Sequence, residues 1–172
     1  MIDRNKHFPV GHFGGHWAIG HWPRLEALVR YVRSLLLTHS PAVVVQQWVD
    51  DLGLGWMTYV SHMPDGAGQD NVLCLYDSGV RIHSKDRNAS VHEHFIVGMR
   101  LRATRFDVGA PRLDELVRYL NLIKDVTVIV GTRTYEVVTA SMVGYLFIGY
   151  DDQRRSTFDL SYAFNMYEVV RL

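Results

Sequence analysis

Residues 91–103, VHEHFIVGMRLRA, carry the clearest polar/apolar pattern in the chain. Phe95, Val97, Met99 and Leu101 alternate with Ile96, Gly98, Arg100 and Arg102. A period of two over eight residues predicts a half-buried strand. Residues 105–110 then connect to a helix starting near Pro111. Its apolar stripe is Leu113, Leu116, Val117, Leu120 and Ile123, with Asp114 and Arg118 paired four apart on the other side. Residues 126–130 read as a strand. Gly131-Thr132 suits a two-residue hairpin turn with glycine first, and residues 133–140 return. A loop is expected around 141–149, then a polar turn at Asp151-Asp152-Gln153-Arg154-Arg155. In residues 157–170, Phe158, Leu160, Tyr162, Phe164 and Met166 alternate with Asp159, Ser161, Ala163, Asn165 and Tyr167. That strand is longer than average, so it must bend or extend past its own sheet.

Upstream, Leu25, Leu28, Val29, Val32, Leu35 and Leu36 fall on one helical stripe and predict a helix over residues 23–37, with Pro23 in its first turn. Ser40 is placed as the N-cap of a second helix with Pro41 at its first position. Val45, Trp48, Val49 and Leu52 form its apolar face, and Gly53 ends it. Residues 56–63 and 71–76 read as strands, separated by the turn-forming Pro64-Asp65-Gly66-Ala67-Gly68. Asp77-Ser78-Gly79 closes the second, and residues 81–90 read as an exposed polar loop. Residues 1–22 follow neither period. They hold His7, His12, His16 and His21 among Phe8, Phe13, Trp17, Trp22 and four glycines. Glycine at that density makes a regular element costly, and the aromatics call for a partner surface. The expected organisation is an arm over 1–22 and a single α+β domain over 23–172, a mostly antiparallel central sheet with helices packed on it.

Composition narrows the function. The chain has 172 residues, 48% apolar and 21% charged, which suits one globular domain. Lys+Arg and Asp+Glu are both 18, so net charge gives no reason to expect a nucleic-acid groove. The lone Cys74 lies in an apolar run and can form neither an internal disulfide nor a cysteine zinc site. No apolar run of about 18 residues suggests a membrane span, and no signal-peptide core is evident. No GxxxxGK, GxGxxG or GxSxG motif occurs, and the Gly53-Leu54-Gly55 near a helix ends it where an anion site would open one. Histidines are the only metal candidates. His12 and His16 are four apart but flank Gly14-Gly15, and His92-Glu93-His94 lacks an identifiable third ligand. No nucleophile, base and orienter stand at a telling spacing. The expectation is therefore a protein without catalytic residues, bound metal or cofactor.

From Pro41 onward the chain resembles the tail terminator proteins of long-tailed bacteriophages, also described as minor capsid or tail completion proteins. The resemblance covers about three quarters of the chain and runs through ordered features. These are Asp51-Leu52-Gly53-Leu54-Gly55, Met63-Pro64-Asp65, Asp70-Asn71-Val72, Leu75-Tyr76-Asp77-Ser78-Gly79 and the strand with Arg100 and Arg102. A helix over 111–124, the hairpin Val130-Gly131-Thr132-Arg133 and a long final strand follow. It implies an α+β fold and a hexameric ring that caps the tail tube and joins it to the head's neck proteins. Genomic DNA would pass through the lumen without specific binding. It implies a place in the virion, at the head-proximal end of the tail, after assembly in the host cytoplasm and without a membrane. A neck (head-completion) protein or a tail-tube ring protein is the nearest alternative, and a histidine-based metal-binding enzyme a remoter one. A cyclic ring uses two different patches of each subunit. Candidate contact residues for subunits or partners are Phe13, Trp17 and Trp22 in the arm, Arg81, His83, Lys85 and Arg87 in the polar loop, and Asp151, Asp152, Arg154 and Arg155 in the polar turn.

Overall fold

The computed structural model describes residues 31–34, 37–65, 70–85 and 91–171, with the backbone alone for 31–34, 81–85, 91–93 and 171. The arm, including Phe13, Trp17 and Trp22, and the start of the expected domain at residue 23 lie outside the described residues. One compact unit runs over Tyr31–Leu172. Its described elements are β1 (Tyr31–Ser34), α1 (Pro41–Asp51), β2 (Met57–Val60), β3 (Val72–Lys85), β4 (Val91–Ala103), α2 (Phe106–Asn121), β5 (Lys124–Val130), β6 (Arg133–Tyr150) and β7 (Ser156–Arg171). The fold is α+β, as expected.

A single mixed sheet has the order β2-β3-β4-β7-β6-β5, with β1 joined to β7 off that path. Among the described strands only β2 and β3 run parallel; the other pairs are antiparallel. The turn-forming stretch after β2 therefore belongs to a crossover and not to a hairpin. Rows of side chains cross the sheet on one face. Leu75, Met99 and Leu160 share a row, as do Leu73, Leu101 and Phe158. With Phe95, Val97, Tyr162, Phe164 and Met166 they form the buried floor under both helices. α1 contributes Ala42, Val44, Val45, Trp48 and Val49, and α2 contributes Leu113, Leu116 and Leu120. Gly109 lets α2 sit close to the sheet, since a Cβ there would lie 2.8 Å from both Ala103 Cβ and Phe158 Cε2.

Four expectations need correction. Residues 31–34 are a strand, not part of a helix over 23–37. They pair with residues 168–171 of β7, and that inter-strand ladder overrides a local helical stripe. Residues 81–85 are not loop but the outer half of β3. After a register shift between Asp77 and Gly79 they pair with residues 91–94 of β4. Residues 141–149 are also strand, since β6 continues unbroken to Tyr150 beside β7. Lastly, α2 begins at Phe106, so Pro111 lies inside it and not at its start. The helix also stops at Asn121, short of 124, and Lys124 opens β5.

Candidate assembly surface

The face of β6 explains itself residue by residue. Up to Val137, β6 is flanked by β5 and β7, and Tyr135 and Val137 are buried. β5 ends its pairing at Thr139. Beyond that point, residues 140–150 have a strand neighbour on one side only, among the described residues. Met142, Val143, Tyr145, Leu146, Phe147, Ile148 and Tyr150 are between 36% and 65% exposed. They occupy both faces, as consecutive strand residues do: Tyr145 and Phe147 stand opposite Leu160 and Phe158 on the helix-bearing face, and Leu146 opposite Asp159 on the other. Residues 137–150 contain no charged side chain. Edge strands that stay in water carry lysines, prolines or bulges that block further pairing; this one has bulges and no charge.

An aromatic series links this edge to the core. Phe158 is fully buried, and Phe147 lies 5.1 Å from it. Phe106, at the start of α2, contacts Phe147 edge-on at 5.1 Å and Phe158 at 5.5 Å. Tyr150 meets Phe147 edge-on at 5.6 Å. Exposed rings braced by buried ones are held in place before a partner arrives, which lowers the ordering cost of binding.

The candidate residues at the polar turn divide. Asp151 Oδ1 accepts the backbone N–H groups of Gln153 and Arg155 at 3.0 and 2.9 Å, and its Oδ2 accepts from Arg155 Nε at 2.7 Å. Burial alone would push the Asp151 carboxyl up; the Arg155 N–H, its guanidinium and the Gln153 N–H outweigh this and hold it below the usual range. Asp151 and the buried Arg155 thus build the β6–β7 turn, while Asp152 and Arg154 stand exposed at its tip. Arg81, His83 and Lys85 fall in the outer half of β3, where only the backbone is described, and Arg87 lies outside the described residues. The structure does not bring these two groups together, since β3 and β6 are separated by β4 and β7. Sequence reasoning missed the β6 edge altogether. Its available signal was a long uncharged apolar stretch lacking any single period.

Two motif arginines receive a structural account. The buried Arg102 donates from Nη1 to Asp65 Oδ1 at 3.0 Å and from Nη2 to the Pro64 carbonyl, pinning Met63-Pro64-Asp65 to β4. Arg100 forms a two-pronged pair with Asp159, both bonds 2.7 Å, on the face away from the helices. The hollow beside it, lined by Arg100, Ile148, Gly149, Tyr150, Asp151 and Thr157, has about 190 Å³. Small-molecule sites run to about 300–1,000 Å³. Among the described residues no group of three or more His, Cys, Asp or Glu is placed to hold a metal ion. None of the described helices is long and apolar enough to cross a membrane.

No protein-family model and no curated protein matches this chain. Among solved structures, it is similar to a chain in the virion of a native gene transfer agent particle, with a TM-score of 0.45 and 13% identity. The match covers 73% of this chain and 92% of that one. A likeness of that size assigns no function by itself.

Proposed function

We propose that this chain is a virion structural protein and, more finely, the tail terminator of a long-tailed phage or phage-like particle. Copies of it close into a ring, six by the sequence resemblance. The ring caps the finished tail tube and joins it to the neck, at the head-proximal end of the tail, with DNA passing through. It turns over no substrate and holds no cofactor. The observation that carries this reading is the uncharged, two-faced apolar edge of β6. A domain meant to stay alone in water pays heavily for such an edge, whereas a subunit of a closed assembly covers it. The ordered features from Asp51-Leu52-Gly53 to the long last strand support the terminator reading, with a neck (head-completion) or tail-tube ring protein as the alternative.

Negative-stain microscopy of the purified protein mixed with preformed tail tubes tests the proposal. A ring seated on one tube end, with tube length fixed thereafter, is the expected result. Bare tubes that keep growing would overturn the terminator reading, and rings found only on emptied heads would replace it with a neck protein.

A further inference from the structure

We propose that the ring closes by strand addition, with the open edge of β6 in one copy pairing with the open edge of β3 in the next. This rests on the ring reading above and assigns its interface. Two edges of the sheet are only half covered among the described residues. β5 covers β6 as far as Thr139 and leaves 140–150 open. At the opposite edge, β2 covers β3 as far as Leu75, where Ser61 N donates to the Leu75 carbonyl at 2.8 Å, and leaves 76–85 open. The two open stretches have nearly the same length.

Strand directions also match. β3 is antiparallel to β4, β4 to β7 and β7 to β6, so β3 and β6 run opposite ways. A sheet continued from β6 onto the next copy's β3 is therefore antiparallel, the more stable pairing per residue.

The covered halves then fix the register. Within one copy, Tyr145 stands in a row with Leu160, Met99 and Leu75. A neighbour set level would bring its Leu75 to Tyr145, but its own β2 already occupies that edge. Its residues 81–85 would meanwhile meet β5. Displacing the neighbour by about five residues clears both obstacles. β2 then lies past the turn at Asp151–Arg155, and β5 lies past residue 85. Five residues amount to about 16 Å along a strand, against about 19 Å across four strands. Joining such copies into a ring without axial rise tilts the strands by about 40°, within the 35–45° or so at which sheets close on themselves. A head-to-tail contact generates a ring where its rotation closes and an open filament where it does not.

The area agrees with a second copy as occupant. With about 200 Å² for a fully exposed large side chain, the seven apolar residues on β6 present on the order of 700 Å². The largest patch on an ordinary monomer is roughly 300–600 Å², and a standard interface takes about 800 Å² from each partner.

The pleat makes the pairing testable. Val80 pairs with Phe95 and so lies on the helix-bearing face, as do Tyr145 and Phe147, whereas Leu146 pairs with Asp159 on the other face. Val80 of one copy must come beside Tyr145 or Phe147 of the next. Within a copy these positions are three strands apart, at least about 14 Å, too far for a disulfide. All four side chains are exposed, and the native Cys74 is buried. The full-length double variants Val80→Cys/Tyr145→Cys, Val80→Cys/Phe147→Cys and Val80→Cys/Leu146→Cys are oxidised and run on non-reducing gels, with light scattering of the same samples. A ladder of covalent oligomers from one of the first two, and none from the third, is expected. An oligomer without that ladder, or a covalent dimer from a single β6 cysteine alone, overturns this interface and leaves the ring reading standing. An oligomer that dissociates when residues 2–22 are deleted, again without the ladder, gives the edge to the arm and also overturns it. A monomer by light scattering, alone and with tail tubes, removes both.

Discussion

Glu168 shows how single residues hold the frame of this surface. It lies on β7 at 2% exposure and accepts from Thr38 N at 2.6 Å and Thr38 Oγ1 at 3.0 Å, with Arg133 Nη1 at 3.2 Å. Next to it, Tyr135 OH receives His39 N at 3.1 Å and lies 2.7 Å from His39 Nδ1. The segment leading into α1 is thus tied to β6 and β7. Burial pushes the Glu168 carboxyl up, but Thr38, Arg133 and His39 together hold it below its ordinary value of 4.5. A carboxyl lowered on folding contributes stability above its unfolded value and loses it as the pH falls through the folded one. Glu168→Gln should therefore cost about 1–3 kcal/mol at pH 7. The gap between variant and parent should narrow as the pH drops below about 4.5, read from thermal melts across pH. A gap that stays constant with pH would contradict the ionised, partnered carboxylate.

Elements were legible where one period served one buried face. β4 spans the residues whose alternation predicts it, and the Gly131-Thr132 turn falls where expected, with Gly131 at φ 59°. The Asp151–Arg155 turn and the long β7 also follow the pattern. β6 beyond Ala140 was not legible as a strand. Bulges shift its phase twice, and apolar residues on both faces erase the contrast that period reading needs. The outer half of β3 failed for the opposite reason, since it is polar, shows no period and follows Gly79 at φ 136°. The α1 start was only half legible. Ser40 sits at the N-cap position but makes no side-chain cap bond. The free Ala42 N–H is met instead by Asp77 Oδ1 at 2.9 Å, from the bulge in β3. No local window contains that pair. Asp77→Ala should cost about 1 kcal/mol, a fall of about 3 °C in melting temperature, while Ser40→Ala should leave the melt nearly unchanged. The reverse order would contradict this assignment of the cap. The site residues were the least legible part, because Asp151 and Arg155 look like surface charges and are spent on a turn.

At the scale of the whole molecule, a sound core coexists with an edge unsuited to solitary life. Both helices cover one face of the sheet, and a single buried cluster joins them to β3, β4, β5, β6 and β7. Tyr145 and Leu146 stand exposed outside that cluster, and on the proposed reading their side chains serve assembly. The direct test is light scattering of the parent protein and of Tyr145→Lys/Leu146→Lys, with thermal melts of each dilute enough to be monomeric. The account predicts that the double variant keeps the monomer's melting temperature within about 2 °C, as exposed substitutions do, yet sediments and scatters as a monomer where the parent forms a ring. A variant that assembles as the parent does would contradict the claim that β6 residues 140–150 are the surface by which this protein builds its assembly.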